Sequence, residues 1–271
     1  MGGFVKYRLQ FPFLARWGRP FCVFDQNDSG NLSFGVENES GERYFVKIAG
    51  ARTKNSAVTP TQAVENLRRT VPLYEEMRHP HLIELVEHFA YKKYYAAVFR
   101  WARGECFWDY WNWERYKKTG QPRPFDRFRA LPLEKRLRAF DAVLSFFEAV
   151  EAARYVSIDF YLGSVMYDFE TDAITFCDID LFLQMPCENT MGRMWGQTRF
   201  MAPEEWQLGA PLDERTNVYR LGATAFMFLG EASPALYEIA MKATAPAPED
   251  RYASVAEFAA AWNDLTQESE N

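Results

Sequence analysis

The sequence of 271 residues has few cysteines, no long hydrophobic run and no excess of basic residues. Its four cysteines lie far apart and form no CxxC pair, which argues against a zinc site and against a disulfide framework. The longest apolar stretches, such as Leu221 to Leu229, fall well short of the roughly 18 residues of a membrane helix. A net charge of −6 argues against a protein that binds duplex nucleic acid. We therefore expect a cytoplasmic protein that binds neither membranes nor duplex nucleic acid.

The composition is that of a folded protein. Hydrophobic residues make up 48% of the chain, charged residues 25% and aromatic residues 17%. A chain of this size can bury a large core, either as one domain or as two lobes. Only the polar end from Thr266 to Asn271 is typical of a flexible tail.

The first 100 residues show mainly the alternation of β-strands. Gly41 lies in a polar break between two apolar runs, which predicts a hairpin and antiparallel strands. One helix interrupts the pattern, because apolar residues from Thr61 to Met77 recur at helical spacing. The predicted strands are Cys22–Phe24, Asn31–Val36, Tyr44–Ile48, Leu82–Val86 and Tyr94–Phe99.

The rest of the chain is mainly helical in its pattern. Apolar residues repeat at helical spacing from Leu133 to Val150, behind Pro132, a residue favoured in the first turn of a helix. Two short strands are predicted at Ser164–Tyr167 and Ile174–Cys177. Further helices are predicted near Pro203 and at Asn217–Leu229, Ala235–Ala243 and Val255–Leu265. The segment from Trp111 to Ala130 is rich in Arg, Lys, Pro and Trp and is interpreted as a loop or insertion. Together these patterns indicate an α+β fold.

Three charged positions have the residue types that phosphoryl transfer needs. That reaction requires a cation on the phosphates, carboxylates that hold magnesium, and a base that orients the acceptor hydroxyl. Lys47 lies in a predicted strand. Asp159 follows the long helix, and Asp178 follows an apolar strand that ends in Asp178-Ile179-Asp180. Each residue alone is better explained by a solvated strand lysine or a turn aspartate, so the functional interpretation depends on their spacing.

The order of these motifs resembles the protein kinase superfamily from Phe21 to Leu265, and divergent bacterial serine/threonine kinases most of all. Phe45-Val46-Lys47 resembles the V-A-I-K motif. Ser157-Ile158-Asp159, with Ser164 five residues later, resembles the catalytic loop, and Asp178-Ile179-Asp180 resembles D-F-G. Ala202-Pro203-Glu204 resembles A-P-E, whose glutamate is expected to pair with Arg251.

This resemblance implies a bilobal kinase-like fold, with a small antiparallel β N-lobe containing one helix and a mostly helical C-lobe. The implied boundaries are an N-lobe at 1–99, a hinge at 100–105, a C-lobe at 106–265 and a tail at 266–271.

The same resemblance implies the roles of individual residues. Asp159 would be the catalytic base, supported by Lys47. ATP would bind with Mg²⁺ or Mn²⁺, and Asp178, Ser164 and Asp180 would hold the metal. The implied nucleotide-binding residues are Gly30, Lys47, Phe99, Trp101, Ala102, Met166 and Asp178.

Several positions depart from the kinase pattern. Counting back from Lys47, the positions of the glycine-rich loop fall on Asp25, Asn27 and Gly30, so only the last glycine remains. Phe45 replaces a small alanine over the adenine ring and is expected to fill that pocket. Ser164 replaces asparagine. The acid that would pair with Lys47 is left open, because different spacings point to Glu65, Thr70 or Glu75.

These observations support three hypotheses. The first is an active phosphotransferase that acts on the Ser or Thr hydroxyl of a protein. The second is a pseudokinase that serves as a binding or scaffold module, which Phe45, Ser164 and the missing glycines favour. The third is a kinase of small molecules that carry a hydroxyl group. The sequence does not identify the substrate or the oligomeric state.

Overall fold

The computed structural model describes residues 10–25, 29–53 and 56–268. The chain has an α+β fold, as the sequence predicts. Its contacts divide it into two compact units. The first comprises the described residues up to Arg78 together with Ile83–Ala102, and the second comprises His79–Leu82 together with the described residues from Arg103 onwards.

The first unit is built on a five-stranded antiparallel sheet with the strand order β1-β2-β3-β5-β4. The strands are β1 (Arg19–Phe24), β2 (Leu32–Glu37), β3 (Arg43–Ala49), β4 (Leu85–Tyr91) and β5 (Tyr94–Arg100), and the helix α1 (Pro60–Glu76) lies between β3 and β4 in the chain. β4 begins three residues later than the predicted strand Leu82–Val86 and continues to Tyr91.

One face of this sheet forms the core of the first unit. Phe34, Val46, Ile48 and Val98 point to this face and are fully buried with Phe11. Burying each such side chain contributes about 1.5–3 kcal/mol relative to exposure. Because side chains alternate along a strand, Phe45 and Lys47 point to the opposite face.

α1 begins at a capping box. The Thr59 hydroxyl accepts from the Gln62 backbone N–H, the Gln62 side chain accepts from the Thr59 backbone N–H, and Pro60 occupies the first helical position. The buried face of the helix carries Leu67 and Tyr74, among others. The ring of Tyr74 lies 4.9 Å from that of Phe99 on β5, so α1 packs against the sheet.

The second unit is mainly helical. Its elements in chain order are β6 (Glu105–Cys106), α2 (Trp113–Thr119), α3 (Pro124–Arg129), α4 (Leu133–Ala152), β7 (Tyr155–Val156), β8 (Val165–Asp168), β9 (Ala173–Phe176), β10 (Leu183–Gln184), β11 (Cys187–Glu188), β12 (Pro211–Leu212), α5 (Glu214–Leu229), α6 (Pro234–Ala243) and α7 (Val255–Glu268). Six short 3₁₀ helices accompany these elements in the described chain, one of them in the first unit: Pro12–Arg16, Tyr110–Asn112, Leu162–Ser164, Thr198–Phe200, Pro203–Trp206 and Pro248–Asp250.

The central helix α4 organises the core of the second unit. Phe140 on α4 packs 4.3 Å from the ring of Trp262 on α7, and both are fully buried. Further along α4, Phe147 contacts Phe160, with ring centroids 5.1 Å apart. Phe160 immediately follows Asp159, so this core supports the loop that carries the predicted catalytic base.

Two predicted boundaries in the second unit differ from the structure. The segment from Trp111 to Ala130, interpreted as a loop, contains α2 and α3. Gly120 ends α2 in a left-handed conformation and Pro124 begins α3, so turn residues delimit two helices that are too short to show a clear apolar period. The helix predicted near Pro203 is a single 3₁₀ turn.

At its C-terminal end the chain forms α7, which continues to Glu268. The helix includes the first three residues of the segment expected to be a tail, and 269–271 lie outside the described residues. None of the described helices combines the length and hydrophobicity needed to cross a membrane.

Candidate functional site

The loop that carries Asp159 is held in place by Asn217 of α5. The Asn217 side-chain oxygen accepts from both the backbone N–H and the hydroxyl of Ser157, each at 2.8 Å, and its amide nitrogen donates to the Tyr155 carbonyl at 2.8 Å. Asn217 and Ser157 are fully buried. Because buried polar groups need such partners, this arrangement fixes the start of the loop.

Ser164 joins this loop to the strand that precedes Asp178. Its carbonyl accepts from the Cys177 backbone N–H at 2.8 Å, next to the pairing of Val165 with Phe176 in β8 and β9. Its hydroxyl donates to the Asp159 carbonyl at 3.4 Å and accepts from the Tyr161 N–H at 3.5 Å. The two segments that carry the predicted acids are therefore joined by a backbone hydrogen bond within the second unit.

Both acids have a backbone conformation that is unusual for a residue with a side chain. The φ angle is +61° at Asp159 and +56° at Asp178. Aspartate tolerates this left-handed region better than most residues, but such conformations are uncommon and cluster at functional sites. Asp159 is half-buried and Asp178 is exposed. The left-handed backbone conformation that both residues share fits a functional role for each of them.

Tyr161 lies within electrostatic range of both acids. Burial raises the pKa of its phenol, and the negative charges of Asp159 and Asp178 raise that pKa further. The phenol is consequently protonated near neutral pH and has a proton to donate. Gly163 packs under the ring, because a Cβ at that position would lie 2.5 Å from a Tyr161 ring carbon. Asp159, Tyr161 and Asp178 thus form one group of interacting side chains in the second unit.

A later segment of the chain also approaches Asp159. Gly196 has a φ angle of +143°, and a Cβ built on it would lie 3.8 Å from a carboxylate oxygen of Asp159 and 3.1 Å from the Met201 side chain. This is the glycine that begins the stretch running to Ala202-Pro203-Glu204. The chain therefore returns to the Asp159 carboxylate just before the A-P-E-like motif.

The predicted ion pair between Glu204 and Arg251 is confirmed. Two nitrogens of the Arg251 guanidinium donate to the two carboxylate oxygens at 2.7 and 2.9 Å, and both residues are buried. Thr216 donates a third hydrogen bond to Glu204 at 2.8 Å. Burial by itself raises the pKa of Glu204, but the hydrogen bonds and charge of Arg251 outweigh it, so the net pKa is lowered.

A second buried ion pair was not predicted from the sequence. Arg220 of α5 donates to Glu205 at 2.6 Å, and both side chains are completely buried. Arg220 also donates to the carbonyl of Phe160 at 3.4 Å, and the other Glu205 oxygen accepts from the Ala202 N–H at 2.7 Å. This pair connects α5 and the A-P-E-like motif to the residue next to Asp159. No motif in the sequence distinguishes either residue.

In the first unit, Lys47 lies in the middle of β3 and is buried. Its cross-strand neighbours are Ser33 on β2 and Ala97 on β5. The Ser33 hydroxyl, and the side-chain oxygen of Asn31 two residues earlier, are buried without a hydrogen-bond partner among the described residues. Unsatisfied buried polar atoms of this kind are rare, and on or just before the strand beside Lys47 they fit a polar ligand.

Phe45 shares this face of the sheet and lies among other aromatic residues. Its ring centroid is 5.9 Å from that of Phe24 and 6.4 Å from that of Trp101, and its cross-strand neighbour on β5 is Phe99. Phe99 is buried, whereas Phe45, Trp101 and Ala102 are half-buried. Two of the predicted nucleotide-binding residues, Phe99 and Trp101, therefore lie close to Phe45. The ring occupies space beside them.

Gly30, the remaining glycine of the predicted phosphate loop, is buried. It has a φ angle of +76°, and an added Cβ would lie 2.7 Å from the Ser56 hydroxyl and 3.2 Å from the Cβ of Ala63. The close approach to the segment that leads into α1 accounts for a glycine here. Asp25 immediately follows β1, and Asn27 lies outside the described residues.

The three positions that the different spacings assign to the partner of Lys47 lie in different environments along α1. Glu65 and Glu75 are exposed, and the Glu75 carboxylate is 3.5 Å from the His88 imidazole. Thr70 is buried, and its hydroxyl donates to the Leu67 carbonyl at 2.9 Å. The buried residues of α1 include no acid.

The residues predicted to bind a metal lie together in the second unit. The described residues contain no group of three or more His, Cys, Asp or Glu side chains in metal-binding geometry. Magnesium that arrives with phosphates needs only one or two carboxylates, which Asp178 and Asp180 are able to supply. The Ser164 hydroxyl is buried and bonded within its own loop, so its role in this conformation is to shape that loop.

Met166, predicted to lie under the adenine ring, is half-buried on β8 and pairs with Cys106 on β6. The Cys106 thiol donates to the Gly163 carbonyl at 3.5 Å. Burial raises the pKa of this thiol to about 12, and the charges of Asp109 and Asp178 act in the same direction. Cys106 is therefore a protonated, unreactive thiol near the acids.

The predicted site residues are thus distributed over both units. Gly30, Lys47, Phe99, Trp101 and Ala102 belong to the first unit, and Asp159, Ser164, Met166, Asp178 and Asp180 belong to the second. Comparison with protein-family models finds no family that matches the chain, and comparison with curated proteins finds no relative.

Proposed function

We propose that the protein is an ATP-dependent phosphotransferase of the protein kinase type, with a bilobal kinase-like fold. The observation that carries this proposal is the group formed by Asp159, Tyr161 and Asp178, in which two acids with left-handed backbone conformations lie within electrostatic range of one half-buried phenol. The pair Glu204–Arg251 adds support, because the kinase resemblance alone led to its prediction.

In the proposal, Asp159 accepts the proton of the acceptor hydroxyl and orients its oxygen for attack. Asp178, with Asp180, holds the Mg²⁺ that neutralises the charge of the phosphates. The protonated phenol of Tyr161 lies within electrostatic range of both carboxylates. Lys47 supplies positive charge for the phosphates of the nucleotide.

The acceptor is a hydroxyl group of a protein or of a small molecule. The segment that passes Asp159 exposes Met191 and Trp195, with exposed fractions of 49% and 45%. Large exposed apolar side chains favour contact with another macromolecule. A protein substrate is therefore the first acceptor to test.

A second function, that of a binding module without turnover, is favoured by two observations. Phe45 fills space beside Phe99 and Trp101. Gly30 packs inward against Ser56 and Ala63, where its backbone is covered by the protein itself. Both features would weaken nucleotide binding, because phosphate-binding loops depend on exposed backbone N–H groups.

Phosphate transfer from radiolabelled ATP tests the proposal, with the protein itself and a generic basic protein as acceptors. Asparagine tolerates the left-handed conformation at position 159, so Asp159→Asn keeps the loop while it removes the base. We expect a rate loss of about 10²–10⁴-fold with an unchanged melting temperature. Asp264→Asn, at an exposed position on α7, is the matched control. Equal transfer by the wild type and Asp159→Asn would reject the assigned role of Asp159.

A further inference from the structure

A polar cavity of about 550 Å³ lies within the second unit, between β6 and the helices α2 and α3. Its walls include Glu105, Asp109, Asn112, Arg115, Tyr116 and Arg127. The volume falls within the range of about 300–1,000 Å³ that is usual for small-molecule sites. Most such sites are lined by apolar side chains, so a cavity lined by charges and amides suits a strongly polar ligand.

One wall carries a fixed carboxylate. The Asn112 amide donates to both oxygens of Asp109 at 3.0 and 2.8 Å, and the Tyr116 hydroxyl donates to one of them at 2.7 Å. Burial, followed by the hydrogen bond to Asp109, raises the pKa of Tyr116 to about 12, so the phenol remains a donor. An ionised carboxylate offers about four acceptor positions, which leaves capacity for a ligand hydroxyl or amine.

A second carboxylate is fixed by an ion pair. Arg127 donates to Glu105 at 2.6 Å, and its guanidinium also lies 4.0 Å from the centre of the Phe169 ring. Stacking and pairing together hold Arg127, and through it Glu105, in one orientation. The acidic wall of the cavity is therefore already ordered before any ligand binds.

Arg115 is the cation in this cavity whose charge is not balanced. In the described part of the chain it makes a single hydrogen bond, to the side-chain oxygen of Gln121 at 3.4 Å, and no ion pair with a carboxylate. A guanidinium presents a planar set of donors that matches a carboxylate or a phosphate in a two-point contact. Arg115 thus favours an anionic group on the ligand.

We infer that this cavity binds a small polyhydroxylated or amino compound that carries one carboxylate or phosphate group. Arg115 contacts the anionic group, while Asp109 and Glu105 accept hydrogen bonds from the hydroxyl or amine groups. The inference goes beyond the proposed phosphotransferase activity. Ligand binding in this cavity does not require ATP, so an experiment is able to reject this inference without rejecting the phosphotransferase activity, and the reverse.

Isothermal titration calorimetry without nucleotide tests the inference. Glucose 6-phosphate and gluconate serve as probes with the two anionic groups, and sorbitol serves as the neutral polyol. We expect at least one anionic probe to bind about tenfold or more tightly than sorbitol. Arg115→Ala should reduce its affinity to that of sorbitol. Arg115→Lys should restore only part of the loss, because an ammonium lacks the two-point geometry.

The control is Arg138→Ala on α4, which removes a guanidinium that is paired with Glu134 and does not line the cavity. It should leave the affinity unchanged. A higher affinity for glucose 6-phosphate than for gluconate would assign the anionic group as a phosphate, and the reverse order would assign a carboxylate. Two outcomes would overturn the inference: no anionic probe binds better than sorbitol, or Arg115→Ala binds as tightly as the wild type.

Discussion

At the scale of single residues, Phe45 decides how much room the first unit leaves for a planar ligand. It shares a sheet face with Lys47, and its ring lies near the rings of Phe24 and Trp101. We expect Phe45→Ala to raise the affinity for ATP by about tenfold, which corresponds to about 1.4 kcal/mol. Fluorescence titration with a nucleotide analogue measures this change.

The matched control for Phe45 is Phe13→Ala. Phe13 is also half-buried in the first unit, but its ring packs on Phe89 and Tyr91 beside the core face of the sheet. Its removal should lower stability and leave the nucleotide affinity unchanged. A loss of affinity in Phe45→Ala would mean that the ring contacts the nucleotide instead of blocking it.

The ionisation of Glu204 makes the stability of the fold depend on pH. Its pKa in the folded protein is below the ordinary value of 4.5, so ionisation stabilises the fold above that pH. This contribution is lost as the pH falls through the folded pKa. Glu204→Gln should lose about 3–5 kcal/mol at pH 7, because Arg251 is left buried without its partner.

Urea unfolding at several pH values measures this effect. The difference in stability between the wild type and Glu204→Gln should begin to shrink below the ordinary pKa of 4.5 and should keep falling as the pH passes through the lower pKa of the folded Glu204 carboxylate. Glu238→Gln, at an exposed position on α6, is the control and should match the wild type. A pH-independent difference between wild type and Glu204→Gln would contradict the assignment.

Some residue-scale features could be predicted from the sequence and others could not. The partner of Glu204 was predictable because the resemblance to protein kinases includes both the A-P-E-like motif and Arg251. Glu205 and Arg220 form an equally buried pair, but each is a charged residue without a motif, and charged residues are usually exposed. Only tertiary structure brings them together.

At the scale of elements, Asn217 determines the position of the loop that carries Asp159. Its three hydrogen bonds join α5 to β7 and Ser157. Asn217→Ala would leave buried polar groups without partners, at about 1–3 kcal/mol each. We expect a loss of about 3 kcal/mol in the free energy of unfolding, and faster amide exchange at Ser157.

Hydrogen exchange by mass spectrometry checks this prediction at the level of peptides. Protection should fall in the segment from Tyr155 to Ser164 more than in α7. Asn263→Ala, an exposed position on α7, should change neither stability nor exchange in the loop. Uniform loss of protection across the second unit would instead indicate that Asn217 has only a global stabilising role.

Elements with a long and regular pattern were the predictable ones. α4 follows from the apolar repeat between Leu133 and Val150, and the hairpin of β2 and β3 follows from the turn at Gly41. α2 and α3 have seven and six residues, so neither shows a full apolar period. The cavity beside them could not be foreseen, because its walls depend on where these short helices pack.

At the scale of the whole molecule, the α+β class was predictable from the change in pattern near residue 100. The contacts of the chain divide close to the same place, at Ala102 and Arg103. The spacing of Lys47, Asp159 and Asp178 suggested one reaction, but spacing alone does not fix distances between side chains. The proposed function requires that the protein binds Mg-ATP.

Thermal unfolding with Mg-ATP tests that claim most directly. A ligand at about 100 times its dissociation constant adds about 2.7 kcal/mol of stability, which raises the melting temperature by roughly 5–10 °C in a protein of this size. We predict such a rise for the wild type with millimolar Mg-ATP and a much smaller one for Lys47→Met and Asp178→Asn. No rise in the wild type with millimolar ATP and either Mg²⁺ or Mn²⁺ would contradict the account and leave only the scaffold function.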